Sequence, residues 1–143
     1  MNIIVATNNS LAADAMSNKI ADLIYTDSCS FLDVLIMSKN LIVSGHMLMI
    51  NPLIGNIPPY EMPYKTVIMT ENGGAVDFNS LKIIDNAITL TRRAMNEMPK
   101  AFWQRDDLEC LKRNDLAVVE RWLLKLYLPE LRGMIKNTSK EER

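Results

Sequence analysis

The sequence predicts an α/β fold, a single domain built on a mostly parallel sheet of four strands. Three observations predict it. Four short runs are almost wholly apolar or β-favouring: Ile3 to Thr7, Asp22 to Thr26, His46 to Ile50 and Thr66 to Thr70. Runs without polar alternation are typical of strands covered on both faces, most often in parallel sheets. Helical patterns lie between and after these runs, so crossover connections are available. A chain of 143 residues, 48% apolar and 23% charged, suits one core.

The elements follow in order. After the first run, Asn9 or Ser10 can cap a short amphipathic helix carrying Leu11, Ala12, Ala15, Met16 and Lys19. After the second, Ser30 and Asp33 have the spacing of a capping box, which starts a helix at about Phe31. Gly45 can supply the left-handed residue that ends it after Val43. Its apolar positions exceed one stripe, so this helix packs on two sides. A third helix, from about Ser80 to Asn96, sets Leu81, Ile84, Ile88 and Met95 on one face and stops before Pro99. The result is a Rossmann-like three-layer core over residues 1–98. Residues 99–130 form a C-terminal helical segment whose Leu108, Leu111, Leu116, Val119 and Trp122 pack on the core or on a partner, and residues 131–143 read as a disordered tail.

Charge excludes some classes of partner. Sixteen Lys and Arg against seventeen Asp and Glu give no field that would draw nucleic acid or an anionic membrane. The opening MNIIVATNN lacks the basic and long apolar regions of a secretory signal, and no run reaches the ~20 apolar residues that span a bilayer. A cytoplasmic protein is expected, with Cys29 and Cys110 as free thiols. With one histidine and two separated cysteines, no metal site and no cofactor are expected. The charges from Arg105 to Asp115 read as a solvated helix face.

Ligands of open α/β sheets usually bind beyond the carboxyl ends of the strands. Thr7, Asn8 and Asn9 after the first strand, Asp27 to Ser30 after the second, and Asn51 and Pro52 after the third should meet there. Asn offers donors and an acceptor and tolerates tight turns, so ATNNS can either shape its turn or hold a polar ligand. Neither G-x-G-x-x-G nor a P-loop is present, so a small polar or anionic metabolite fits better than a nucleotide. Cys29 beside a helix start reads as a passive small side chain. His46, at a strand entrance, should lie at the opposite edge from Asn8.

The connection from Asn51 to Lys65 holds Pro52, Pro58, Pro59 and Pro63, which make it stiff and extended, with Gly55 as its turning point. Two routes are open. A crossing to a parallel fourth strand would leave Glu61, Tyr64 and Lys65 near His46. Folding over the carboxyl edge into an antiparallel strand would bring Lys65 to Asn8 and Asn51, and the lack of an intervening helix favours this route.

The TNN turn, Leu32-Asp33-Val34-Leu35 and above all GHMLMINPLIGNIPPYEMPYKTVIM resemble the GrdX family, small proteins associated with glycine, sarcosine and betaine reductase systems of anaerobic bacteria. The resemblance covers about residues 3 to 95. It rests chiefly on Gly45, His46, Asn51, Pro52, Leu53, Gly55, Pro59, Glu61, Pro63, Tyr64 and Lys65. It implies a reductase context and a reductase-complex protein as partner, without a defined reaction. The leading expectation is a non-catalytic accessory or small-ligand-binding protein whose site draws on Thr7, Asn8, Asn9, Asn51, Pro52, Gly55, Glu61, Tyr64 and Lys65. One alternative is a small transferase or hydrolase with Lys65 stabilising charge and Glu61 as general acid or base. The other is an interaction module, in which the broad second helix and the Trp122 helix make a homodimer or partner surface.

Overall fold

The computed structural model describes residues 3–17, 22–53, 62–97 and 106–122. Its elements are β1 (Ile3–Thr7), α1 (Ser10–Met16), β2 (Asp22–Tyr25), α2 (Phe31–Val43), β3 (His46–Leu48), β4 (Thr66–Glu71), α3 (Phe78–Glu97) and a helix α4 over residues 106–122. The strands stand in the order β2-β1-β4-β3.

The expected mostly parallel sheet is corrected. Only β1 and β2 run parallel, while β4 is antiparallel to both β1 and β3. The physical reason lies in what continuous apolarity reports. β1 and β4 are the two central strands, and Ile3 to Thr7 and Thr66 to Thr70 are all buried because helices cover both faces of the sheet. Two-sided burial removes polar alternation whichever way a strand runs. Direction follows instead from the connection, whose proline-rich sequence carries no helical pattern of the kind a parallel crossover normally contains.

Alternate residues of the central strands feed two cores, which makes the three layers. Ile4, Ala6, Val67 and Met69 pack with Val34, Leu35 and Ile42 of α2 and Ile84 and Ile88 of α3. Ile3, Val5 and Ile68 pack on the other side with Met16 of α1 and Val119 of α4. Each fully buried Leu or Ile contributes about 1.5 to 3 kcal/mol, so the larger core under α2 and α3 dominates. Met95 departs from its expected face and is exposed, beyond Thr91, the last buried residue of α3.

Local chemistry sets the element ends as expected. Asn9 caps α1 through its side-chain oxygen and the Leu11 amide, 3.1 Å. Ser30 and Asp33 form the reciprocal capping box of α2 at 3.1 and 3.0 Å. Gly45 follows α2 with φ 107° and lies so close to Gly74 that an added Cβ would stand 2.7 Å from that residue's Cα. The outer edge of β3 is partly closed, since the Leu48 amide donates to the Ser80 hydroxyl of α3 at 2.9 Å. The register puts His46 opposite Glu71, at the far end of β4 from Thr66. His46 therefore does lie at the other edge from Asn8, with Nδ1 3.0 Å from the Leu41 carbonyl near the end of α2.

Candidate functional site

β4 is antiparallel to β1 and β3, as expected for a connection folded over the carboxyl edge. The last residues of that connection, Met62 to Lys65, lead into β4 beside Thr7 and Asn8. Asn8 ties the three loops of this edge together. Its Nδ2 donates to the carbonyls of Cys29 and Pro63, each at 2.9 Å, and its Oδ1 accepts from the Lys65 amide at 2.8 Å. Both amide protons and the amide oxygen are committed to protein, which suits a turn-shaping role for Asn8. The helix starts are equally occupied, α1 by Asn9 and α2 by Ser30 and Asp33.

A buried polar circuit runs beneath this knot. Thr7 and Thr66 face each other across β1 and β4, with their hydroxyl oxygens 2.7 Å apart. The Asn9 amide donates to Thr7 Oγ1 at 3.0 Å, and Thr66 Oγ1 donates to Asp115 Oδ2 at 2.6 Å. Since the Thr66 proton goes to Asp115, the Thr7 hydroxyl must donate to Thr66. Asn9 Nδ2 closes the loop by donating to the same Asp115 oxygen and to the Lys112 carbonyl, both at 2.9 Å. Every donor in the circuit has an acceptor, so it holds α4 to the sheet edge without an unpaired hydroxyl.

Two lysines border the circuit. Lys65 is 8% exposed, and its Nζ lies over the Phe31 ring, 5.7 Å from the centroid. Burial pushes its ammonium below the ordinary lysine value, and the nearby Asp115 carboxylate opposes that shift. Lys112 Nζ sits over the Tyr64 ring at 5.5 Å, while burial and then Glu109 push the Tyr64 hydroxyl up. Because the folded protein binds the Lys65 proton less tightly than the unfolded chain, Lys65 contributes stability that rises with pH between its lowered value and about 10.4. Below that window the full cost of the buried ammonium remains. Lys65→Met should therefore melt at a higher temperature than the parent protein at neutral pH, and the difference should shrink as pH approaches about 10, as read from paired melting curves.

Lys65, Thr66 and Asp115 line a small cleft with Ile50, Asn51 and Pro52 on one side and Val118 and Val119 of α4 on the other. Its free interior admits about one water molecule. Asn51 shapes its own turn, its Oδ1 accepting from the Leu53 amide at 3.0 Å. Of the residues expected from sequence, Asn51, Pro52 and Lys65 meet at this cleft. Thr7, Asn8 and Asn9 support it from behind, and Tyr64 stands beside Lys65 under Lys112. Gly55 and Glu61 lie outside the described residues.

Thr66 and Asp115 were missed. Thr66 becomes a partner of Thr7 only once β4 is known to be antiparallel. Asp115, read as part of a solvated charged face, is 4% exposed. Its signal was positional, for it falls in the inward series Leu108, Leu111, Asp115, Val119, Trp122. The remaining sequence candidates stay peripheral. The Cys29 thiol donates to the Thr26 carbonyl at 3.3 Å, and burial followed by Asp33 pushes its pKa up, away from a thiolate. Cys110 is exposed, and both cysteines are free. Among the described residues no group of three metal-ligating side chains converges, and no helix is long and apolar enough to cross a membrane.

Fold and site together define a small three-layer α/β domain with one parallel strand pair and a polar cleft under its last described helix. A profile described as GrdX-like protein matches residues 3–126, and the chain belongs to that family. The match runs past the Ile3 to Met95 region of resemblance and takes in α4 with Asp115. No curated protein and no solved structure matches the chain.

Proposed function

We propose that this chain is a non-catalytic accessory protein of an anaerobic glycine, sarcosine or betaine reductase system, binding a small polar metabolite over the mouth of the cleft lined by Asn51, Lys65 and Asp115, whose interior itself holds about one water. A reductase component would be its protein partner. The observation that carries the reading is convergence. Asn51 and Pro52, Lys65 and Thr66, and Asp115 come from three separate parts of the chain and line one cleft. Buried Thr66 and Asp115 give the cleft a hydroxyl and a carboxylate, which suit a ligand with hydrogen-bond donors or an ammonium group.

Thermal-shift and calorimetric titration with glycine, sarcosine, betaine, acetyl phosphate and phosphate tests it. At least one should raise the melting temperature, since a ligand at 100 times its Kd stabilises by about 2.7 kcal/mol. The shift should vanish in Lys65→Met. Silence from all five would overturn the metabolite reading.

One observation favours a second reading as a small enzyme. That reading needs the side chains of Lys65 and Glu61 to converge with the Asn8 loop; the Lys65 backbone amide, 2.8 Å from Asn8 Oδ1, sets that residue on the same sheet edge, and Glu61 lies outside the described residues.

A further inference from the structure

We propose that the outer edge of β2 docks a second copy of this chain, the two β2 strands pairing antiparallel about a two-fold axis at Ile24 and joining two four-stranded sheets into one. No residue of β2 lines the cleft beside Asp115, so the surface is independent of any ligand there.

The two edges of the sheet differ. β3 is partly closed by the Ser80 hydroxyl, whereas the outer side of β2 has no ladder partner among the described residues. Sheet edges are ordinarily guarded by lysine, proline or a bulge. β2 reads Asp22-Leu23-Ile24-Tyr25, without lysine or proline, and its register with β1 runs unbroken from Ile4 and Asp22 to Thr7 and Tyr25. Tyr25 is also a large side chain left 40% exposed on this strand.

The backbone fixes how such an edge can pair with itself. The Thr26 amide donates to the Thr7 carbonyl of β1 at 3.2 Å. The amide and carbonyl of one strand residue point to the same side, and the side alternates along the strand. Asp22, Ile24 and Thr26 therefore turn theirs toward β1, and Leu23 and Tyr25 turn theirs outward. Within β2, the antiparallel register that sets Leu23 opposite the partner's Tyr25 uses both donors and both acceptors of each strand. An isologous interface needs this self-complementarity.

The side chains suit the same register. Leu23 packs toward the core under α1, and Tyr25 shares its face, so each Tyr25 lies against the partner's Leu23 as an apolar cross-strand pair. Asp22 stands opposite the partner's Thr26, a carboxylate facing a hydroxyl donor. The two Asp22 residues are then about 13 Å apart along the strands, beyond the screening length of about 8 Å at physiological salt. Asp27 belongs to the turn after β2 and has left the ladder.

Light scattering of the intact protein, diluted from about 1 mM, tests this. The mass should approach that of a dimer at the top of the series and fall to that of the monomer on dilution. Tyr25→Pro removes an amide that β1 does not use, so it should abolish the dimer while the melting temperature at the dilute end stays unchanged. Cysteine replacement reads the register. In a background of Cys29→Ser and Cys110→Ser, Ile24→Cys places two thiols across the axis with Cα atoms about 4.5 Å apart, within disulfide reach. Leu23→Cys leaves its two copies roughly 8 Å apart, beyond that reach. Under mild oxidation Ile24→Cys should give about tenfold more covalent dimer than Leu23→Cys. Equal cross-linking of the two, monomeric mass at every concentration, or a dimer that survives in folded Tyr25→Pro overturns the proposal. If Tyr25→Pro does not fold, the cysteine pair decides alone.

Discussion

Asn8→Ala should lower the stability of this domain by about 3 kcal/mol, taking the melting temperature down by about 10 °C. Three hydrogen bonds disappear together, to the Cys29 and Pro63 carbonyls and from the Lys65 amide. Each is worth about 1 kcal/mol net, and more where the partner stays buried. Lys65 is such a partner, because its amide sits at the closed start of β4. Asn8→Asp sharpens the test. A carboxylate keeps the acceptor for the Lys65 amide but turns an oxygen toward two carbonyls that need donors. It should therefore destabilise at least as much as alanine, although it is nearly isosteric. Denaturant unfolding of the three proteins measures this, and an Asn8→Ala midpoint close to that of the parent would show that the loops hold without the amide.

The same residue shows how far the sequence could be read. ATNNS was legible as a tight turn with capping potential, and Asn9 caps α1 as its position implies. The helix from Phe31 to Val43 was legible to the residue, because capping-box spacing at one end and glycine at the other are local signals. What Asn8 binds was not legible, since its partners lie 21, 55 and 57 residues away. The direction of β4 has the same character. Buried strands of either direction look alike in sequence, and only the absence of a helical pattern between Asn51 and Lys65 told them apart. Lys65 was legible as a site residue once the route over the carboxyl edge was considered, whereas Asp115 was hidden by the charges around it in sequence. A helix face must be read by its inward positions, and an acid among Leu111, Val119 and Trp122 is more informative than the charged run that contains it.

Asp115→Ala should cost about 3 kcal/mol and release α4 before the rest of the fold. The substitution removes the acceptor of both Thr66 Oγ1 and Asn9 Nδ2, and it takes away the carboxylate that offsets the buried Lys65 ammonium. Of the polar ties between α4 and the sheet edge, the Asn9 bond to the Lys112 carbonyl and the Lys112 contact with Tyr64 would remain. Val119 alone in α4 is a fully buried apolar anchor among the described residues, so apolar packing gives this helix less support than α2 or α3 receive. Amide exchange should therefore speed up across residues 106–122 while β1 and β4 stay protected, a local opening below the global unfolding free energy. Asp115→Asn supplies the control. Its oxygen can still accept from Thr66 and Asn9, so it should restore much of the α4 protection although the charge beside Lys65 is gone. Uniform loss of protection in Asp115→Ala would mean that α4 and the sheet unfold as one unit. Unchanged exchange would mean that the circuit does not hold the helix. If α4 is released as expected, one wall of the Lys65 cleft moves with it, and a side chain missed in the sequence then controls access to the site.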